Sequence, residues 1–131
     1  MSRREVREHI FKLLYMSEFN TKEEMPQQVA LYLESLEPVS EENQKEIEDK
    51  YEKIKEHAEE IDTAINESSV GWKSSRMSKV DLNILRVAVY ELKYDDSVPT
   101  GVAINEAVEI AKSFGGEESA SFLNGILAKM V

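Results

Sequence analysis

The sequence predicts an all-α fold, and three observations predict it. Apolar residues recur at helical spacing in each long segment, and none shows convincing period-two alternation. Glu, Lys, Leu, Ile and Ala are abundant, against only five glycines and three prolines in 131 residues. Capping signals precede the periodic stretches, Ser2-Arg3-Arg4-Glu5 first among them. The length suits a single domain, residues 1–131, that buries a core without metal or disulfide staples.

The elements follow in order. Ser2 caps a first helix over about residues 3–18, with Val6, Ile10, Leu13 and Leu14 as its apolar stripe. A second helix starts around Pro26, carries Val29, Leu33 and Leu36 inward, and ends at the Glu37-Pro38 step. Ser40 opens the longest helical stretch, in which Ile47, Tyr51, Ile54, Ala58, Ile61 and Ile65 form a heptad-like seam. Such a seam suits an intermolecular coiled coil or one long helix lying against its own domain. The second is preferred, because its apolar residues are few and its other faces are acidic. Ser68 to Ser75 breaks the pattern, with Gly71 beside the only tryptophan, Trp72.

Ser78-Lys79-Val80-Asp81 offers a second cap. Val80, Ile84, Leu85, Val87, Ala88 and Leu92 then make the richest apolar surface, that of a central helix. Asp95 to Pro99 is a turn. A helix over about 101–113 places Ala103, Ala107, Ile110, Ala111 and Phe114 on or near one face, and Gly115-Gly116 stops it on left-handed geometry. A last helix, about 118–130, presents Phe122, Leu123, Ile126, Leu127 and Met130, and Gly125 within it permits close packing.

Composition excludes several functions. Zero cysteines remove disulfides, thiolate zinc sites and cysteine nucleophiles. No apolar run approaches the roughly 18 residues of a membrane span, and a soluble, cytoplasmic protein is expected. The formal net charge is −10 but uneven. Residues 1–12 hold four basic against two acidic side chains, and residues 34–62 hold twelve acids against four lysines. Overall acidity opposes wholesale nucleic-acid binding, whereas a local basic footprint can still hold phosphates.

That footprint is Arg3, Arg4 and Arg7, in a helical first turn that disfavours positive charge. Arg3, Arg7 and Phe11 share a face, which suits single-stranded RNA: guanidinium groups hold phosphates while a ring stacks a base. The alternative is a solvated helix start whose arginines pair with Glu5, Glu8 or the acidic long helix. His9 and His57 have no neighbour at a catalytic spacing. Glu42, Glu46 and Asp49, or Glu52, Glu56 and Glu60, make solvated faces rather than a metal site, and Gly115-Gly116 lacks the lysine and spacing of a phosphate loop. Neither enzymatic activity nor a cofactor is expected. In the C-terminal third, Glu118, Ser121 and Asn124 crowd around Phe122, either as caps and packing or as a polar rim for unstacked bases.

The run VDLNILRVAVYEL, then VP, then VAINEAVEIAKSFGGEESASFLNGIL resembles the NusB family of bacterial transcription antitermination factors. RREVREHIFKLLY fits that family's arginine-rich first helix. The likeness lies in residues 78–128 and 3–15, about half the chain, and is weakest over about 20–72. It implies six to seven helices in two small packed bundles, with sub-bundles of about 1–70 and 71–131, and no catalysis. It further implies a partner set: boxA RNA of nascent ribosomal leader transcripts, the ribosomal protein NusE, other Nus factors and RNA polymerase. By position, Arg3, Arg4 and Arg7 match the family's RNA-contacting helix, with Phe11 on the same face. Glu118, Ser121, Phe122 and Asn124 match its C-terminal RNA segment. Tyr15, Asp81 and Arg86 fall where the family meets or supports its protein partner.

Ser121 replaces a lysine frequent in the family, and few basic residues precede Arg3; both imply a weaker grip on RNA and greater need of the partner. Two readings compete with an RNA-binding adaptor. One is a protein-interaction module or homodimer that does not bind RNA itself. The other is an RNA-modifying enzyme, since such domains occur fused to RNA cytosine methyltransferases, but 131 residues leave no room for a cofactor domain.

Overall fold

The computed structural model describes residues 1–131 except Glu37, Val70 and Trp72, so the Glu37-Pro38 helix stop and the Trp72 break lie in part outside the described residues. Among the described residues there are seven α-helices, one 3₁₀ turn and no strand. Two compact units divide the chain, Met1–Lys55 and Glu56–Val131.

The first unit holds α1 (Arg3–Ser17), α2 (Met25–Ser35) and nearly all of α3 (Glu41–Glu56). The predicted capping box forms: Ser2 Oγ accepts the Glu5 amide and Glu5 Oε1 accepts the Ser2 amide, both at 3.1 Å. A second reciprocal pair, unforeseen, ties Thr21 to Glu24 ahead of α2, with Pro26 in its first turn. Ser40 Oγ caps α3 by accepting the Asn43 amide. The predicted stripes of α1 and α3 are buried, Val6, Ile10, Leu13 and Leu14 on one and Ile47, Tyr51 and Ile54 on the other, and so are Val29 and Leu33 of α2. His9 Nδ1 meets the Tyr32 hydroxyl at 2.7 Å, joining α1 to α2.

The second unit contains α4 (Ala58–Ser68), the 3₁₀ turn (Ser74–Arg76), α5 (Lys79–Tyr94), α6 (Thr100–Phe114) and α7 (Ser119–Ala128). α5 is central, packing against α4, α6 and α7. Ser78 caps it by accepting the Asp81 amide at 3.1 Å, and Ile84, Leu85 and Val89 are almost fully buried.

Four sequence expectations are corrected. The long helical stretch is two helices, broken at His57 (φ −98°, ψ 14°), where the imidazole stacks on Tyr94 with centroids 4.1 Å apart. α4 accordingly packs on α5 in the second unit, not with the N-terminal half. Gly115 ends α6 in extended, not left-handed, geometry (φ −93°); its value is space, because a Cβ there would lie 2.5 Å from Ser119 Oγ and 2.8 Å from the Ala111 carbonyl oxygen. Gly125 permits no close approach, since nothing lies within 4 Å of where its Cβ would be. Leu36, expected to point inward from α2, is only half-buried, and Phe114 is exposed at the end of α6.

Candidate nucleic-acid interface

The first predicted cluster stands at the start of α1. Arg3 and Arg4 are exposed in the first turn, whereas Arg7, one turn on, is buried at 8% exposure. Arg3 binds Glu46 of α3 through both guanidinium nitrogens, Nη1 donating to Oε1 at 2.7 Å and Nη2 to Oε2. Lys50 Nζ lies 3.3 Å from the same Oε2. The Arg3 hydrogen bonds, ahead of Lys50, hold the Glu46 carboxyl down at about 2. The sequence reading named pairing with the acidic helix as its alternative, and for Arg3 that pairing forms.

Phe11 is corrected. At 3% exposure its ring belongs to the core, so no base can stack on it. The same helix row continues outward: Tyr15 is half-buried, and its ring meets Phe11 at 6.2 Å and Phe19 at 5.0 Å. Phe19 is 65% exposed and was not foreseen, although its i+4 spacing from Tyr15 was visible.

The second cluster lies wholly in the second unit. Asp81 at the start of α5 and Glu118, Ser119 and Phe122 at the start of α7 line a cleft of about 470 Å³, with Arg76 on its rim. Asp81 Oδ1 is buried and meets no donor among the described residues. Ser119 Oγ accepts the Gly116 amide at 2.9 Å, fixing the turn into α7. Ser121 and Asn124 are exposed and outside the cleft lining. Phe122 is half-buried. The structure thus brings Asp81, Glu118 and Phe122 together, a grouping the linear sequence had split between two partners.

Arg86 is occupied within its own unit. Its Nε and Nη2 donate to the two carboxylate oxygens of Asp62, each at 2.9 Å, and Nη1 donates to Asn83 Oδ1 at 3.0 Å. Asn83, fully buried, donates in turn to the Lys79 carbonyl. This forked pair clamps α4 to α5.

These features define a scaffold that is all-helical among the described residues. The sequence pattern of the NusB family matches residues 4–131. Transcription antitermination protein NusB of Lachnoclostridium phytofermentans is 51% identical over 131 residues, covering all of this chain and 99% of the relative. The protein of the same name from Agathobacter rectalis is 48% identical over 129 residues, covering 98% of each chain. Among solved structures, T. maritima NusB superposes with a TM-score of 0.88 at 36% identity, over 99% of this chain and 90% of its own. NusB solved with NusE and double-stranded RNA has a TM-score of 0.81 at 23% identity, over 96% of this chain and 92% of its own, a likeness of fold alone. The chain belongs to the NusB family. No helix among the described residues is long and apolar enough to cross a membrane.

Proposed function

We propose that this chain is a cytoplasmic transcription antitermination factor, a non-enzymatic adaptor that binds boxA RNA of ribosomal leader transcripts together with NusE. The complex would join other Nus factors on RNA polymerase and suppress premature termination. One observation carries the reading: full-length likeness, at 51% identity, to a protein named for transcription antitermination.

The geometry supports a division of labour. Arg3 and Arg4 occupy an exposed turn of a chain whose net charge is −10, and that turn offers phosphate a local basic landing place. Amides at the start of α1 add to the same attraction. Phe122 offers a half-open ring beside carboxylates that accept hydrogen bonds from exocyclic amines of an unstacked base. Arg7 supports α1 from within and Arg86 supports the α5 surface that carries Asp81. Tyr15, with Phe19 beyond it, provides aromatic surface for the protein partner.

The test is a gel-shift titration of boxA RNA at several salt concentrations, with and without NusE, against a scrambled RNA. Replacing Arg3 and Arg4 by alanine should weaken boxA binding and flatten the salt slope by about 1.4, roughly 0.7 per phosphate on a single strand. An unchanged slope removes α1 from the RNA interface. Self-association is the second reading, favoured by exposed Phe19 and Leu31. A dimer that ignores RNA even with NusE present, seen by sedimentation, would establish it.

A further inference from the structure

The fork of Arg3 that would grip a phosphate end-on is already held by a carboxylate. We infer that Glu46 is an autoinhibitory residue for RNA binding: it competes with phosphate for Arg3, so the Arg3 contact forms most fully with a strand that is also held elsewhere. The inference rests on the reading of α1 as a phosphate-contacting helix.

Three observations carry it. First, the contact uses both carboxylate oxygens and two guanidinium nitrogens, a fork that also suits phosphate, so the two anions compete for that edge of Arg3. Second, the pair is reversible. Arg3 is 57% and Glu46 27% exposed, and ion pairs at such positions contribute no more than about a fivefold factor. Third, Glu46 keeps a cation when Arg3 departs, because Lys50 sits one helical turn on and already lies 3.3 Å from Oε2. Departure therefore strands no carboxylate. The low proton affinity of Glu46 agrees with this, since the group stays ionised throughout the physiological range.

The consequence is a threshold. A strand touching the protein through phosphates alone meets a guanidinium already satisfied, and the exchange gains little. A strand whose bases are held at another site presents its phosphates to Arg3 at high effective concentration, and the exchange then proceeds. A strand that makes the contact fully bears the whole competition, so Glu46 lowers the affinity of anchored RNA at least as much as that of loosely held RNA.

The experiment compares the full-length protein with Glu46→Gln, Arg3→Ala, the double variant and Glu48→Gln, an exposed charge removal on the same helix. Binding of boxA and scrambled RNA is measured across a salt series, with NusE present. In Glu46→Gln, scrambled RNA should bind about three- to fivefold tighter and its salt slope should steepen by roughly 0.7, one further phosphate contact. BoxA binding should tighten at least as much, up to about fivefold. Glu48→Gln should leave the slope unchanged, and in the Arg3→Ala background the Glu46 substitution should have no effect. Equal changes for Glu46→Gln and Glu48→Gln would overturn the inference, leaving only general charge. Arg3→Ala weakening boxA binding while Glu46→Gln leaves both slopes alone would overturn it and spare the RNA reading. Arg3→Ala without effect on either RNA would overturn the reading of α1 itself. Circular dichroism checks that each variant remains helical.

Discussion

His9 is the clearest titratable residue in the first unit. Burial, followed by the nearby Lys12 charge, holds its imidazole below the usual 6.5. Its partner Tyr32 is pushed up to about 12, again chiefly by burial. A neutral imidazole can accept the Tyr32 hydroxyl proton at Nδ1, 2.7 Å away, whereas a protonated ring must donate. Because the folded-state value is depressed, the unfolded chain takes up this proton first. The stability contribution is complete above pH 6.5 and is lost as pH falls through the folded value. Urea midpoints at pH 7.5 and 5.5 should therefore differ, the acid one being lower, and His9→Gln should narrow the gap. At this scale the sequence was informative about which residues matter and poor about their surroundings. Arg3, Asp81, Glu118 and Phe122 were visible by type and spacing. The Arg3–Glu46 pair joins residues 43 apart, and the burial of Arg7 and Phe11 depends on packing, so neither could be read locally.

The helices themselves were legible where a cap and an apolar stripe agreed. α1 and α5 start where Ser2 and Ser78 place them, because each serine oxygen satisfies an otherwise unpaired amide. The α3–α4 break was not legible. Its heptad spacing runs through His57 without glycine or proline, and the interruption coincides with a ring stack on α5, a tertiary contact. Two glycines give opposite predictions. Gly115→Ala forces a Cβ against Ser119 and the Ala111 carbonyl, and should destabilise by about 1–3 kcal/mol, as overpacking does. Gly125→Ala points into open space within α7 and should stabilise by about 0.5–1 kcal/mol through helix propensity. Urea denaturation measures both, and equal signs would contradict the geometry.

For the molecule as a whole, charge is the dominant long-range property. A net charge of −10, with Glu41, Glu42, Glu48, Asp49 and Glu52 exposed along α3, makes the folded state repel itself. Salt shortens that repulsion to about 10 Å at 0.1 M. Raising NaCl from low to near-physiological concentration should lift Tm by about 3 °C, equivalent to roughly 0.5–1 kcal/mol, while the same salt should weaken the proposed RNA binding. Opposite salt responses of one protein separate self-repulsion from ligand attraction. The all-helical class and the uneven charge were legible throughout. The division at Lys55–Glu56 was not, because it falls inside α3. Finally, the Ser2 capping box has a practical corollary for anyone handling this molecule. The turn bearing Arg3 and Arg4 is braced by the Ser2 amide and hydroxyl, one residue behind them. An affinity tag fused ahead of Ser2 would crowd that brace, whereas the solvent-facing Val131 gives a fusion point outside it.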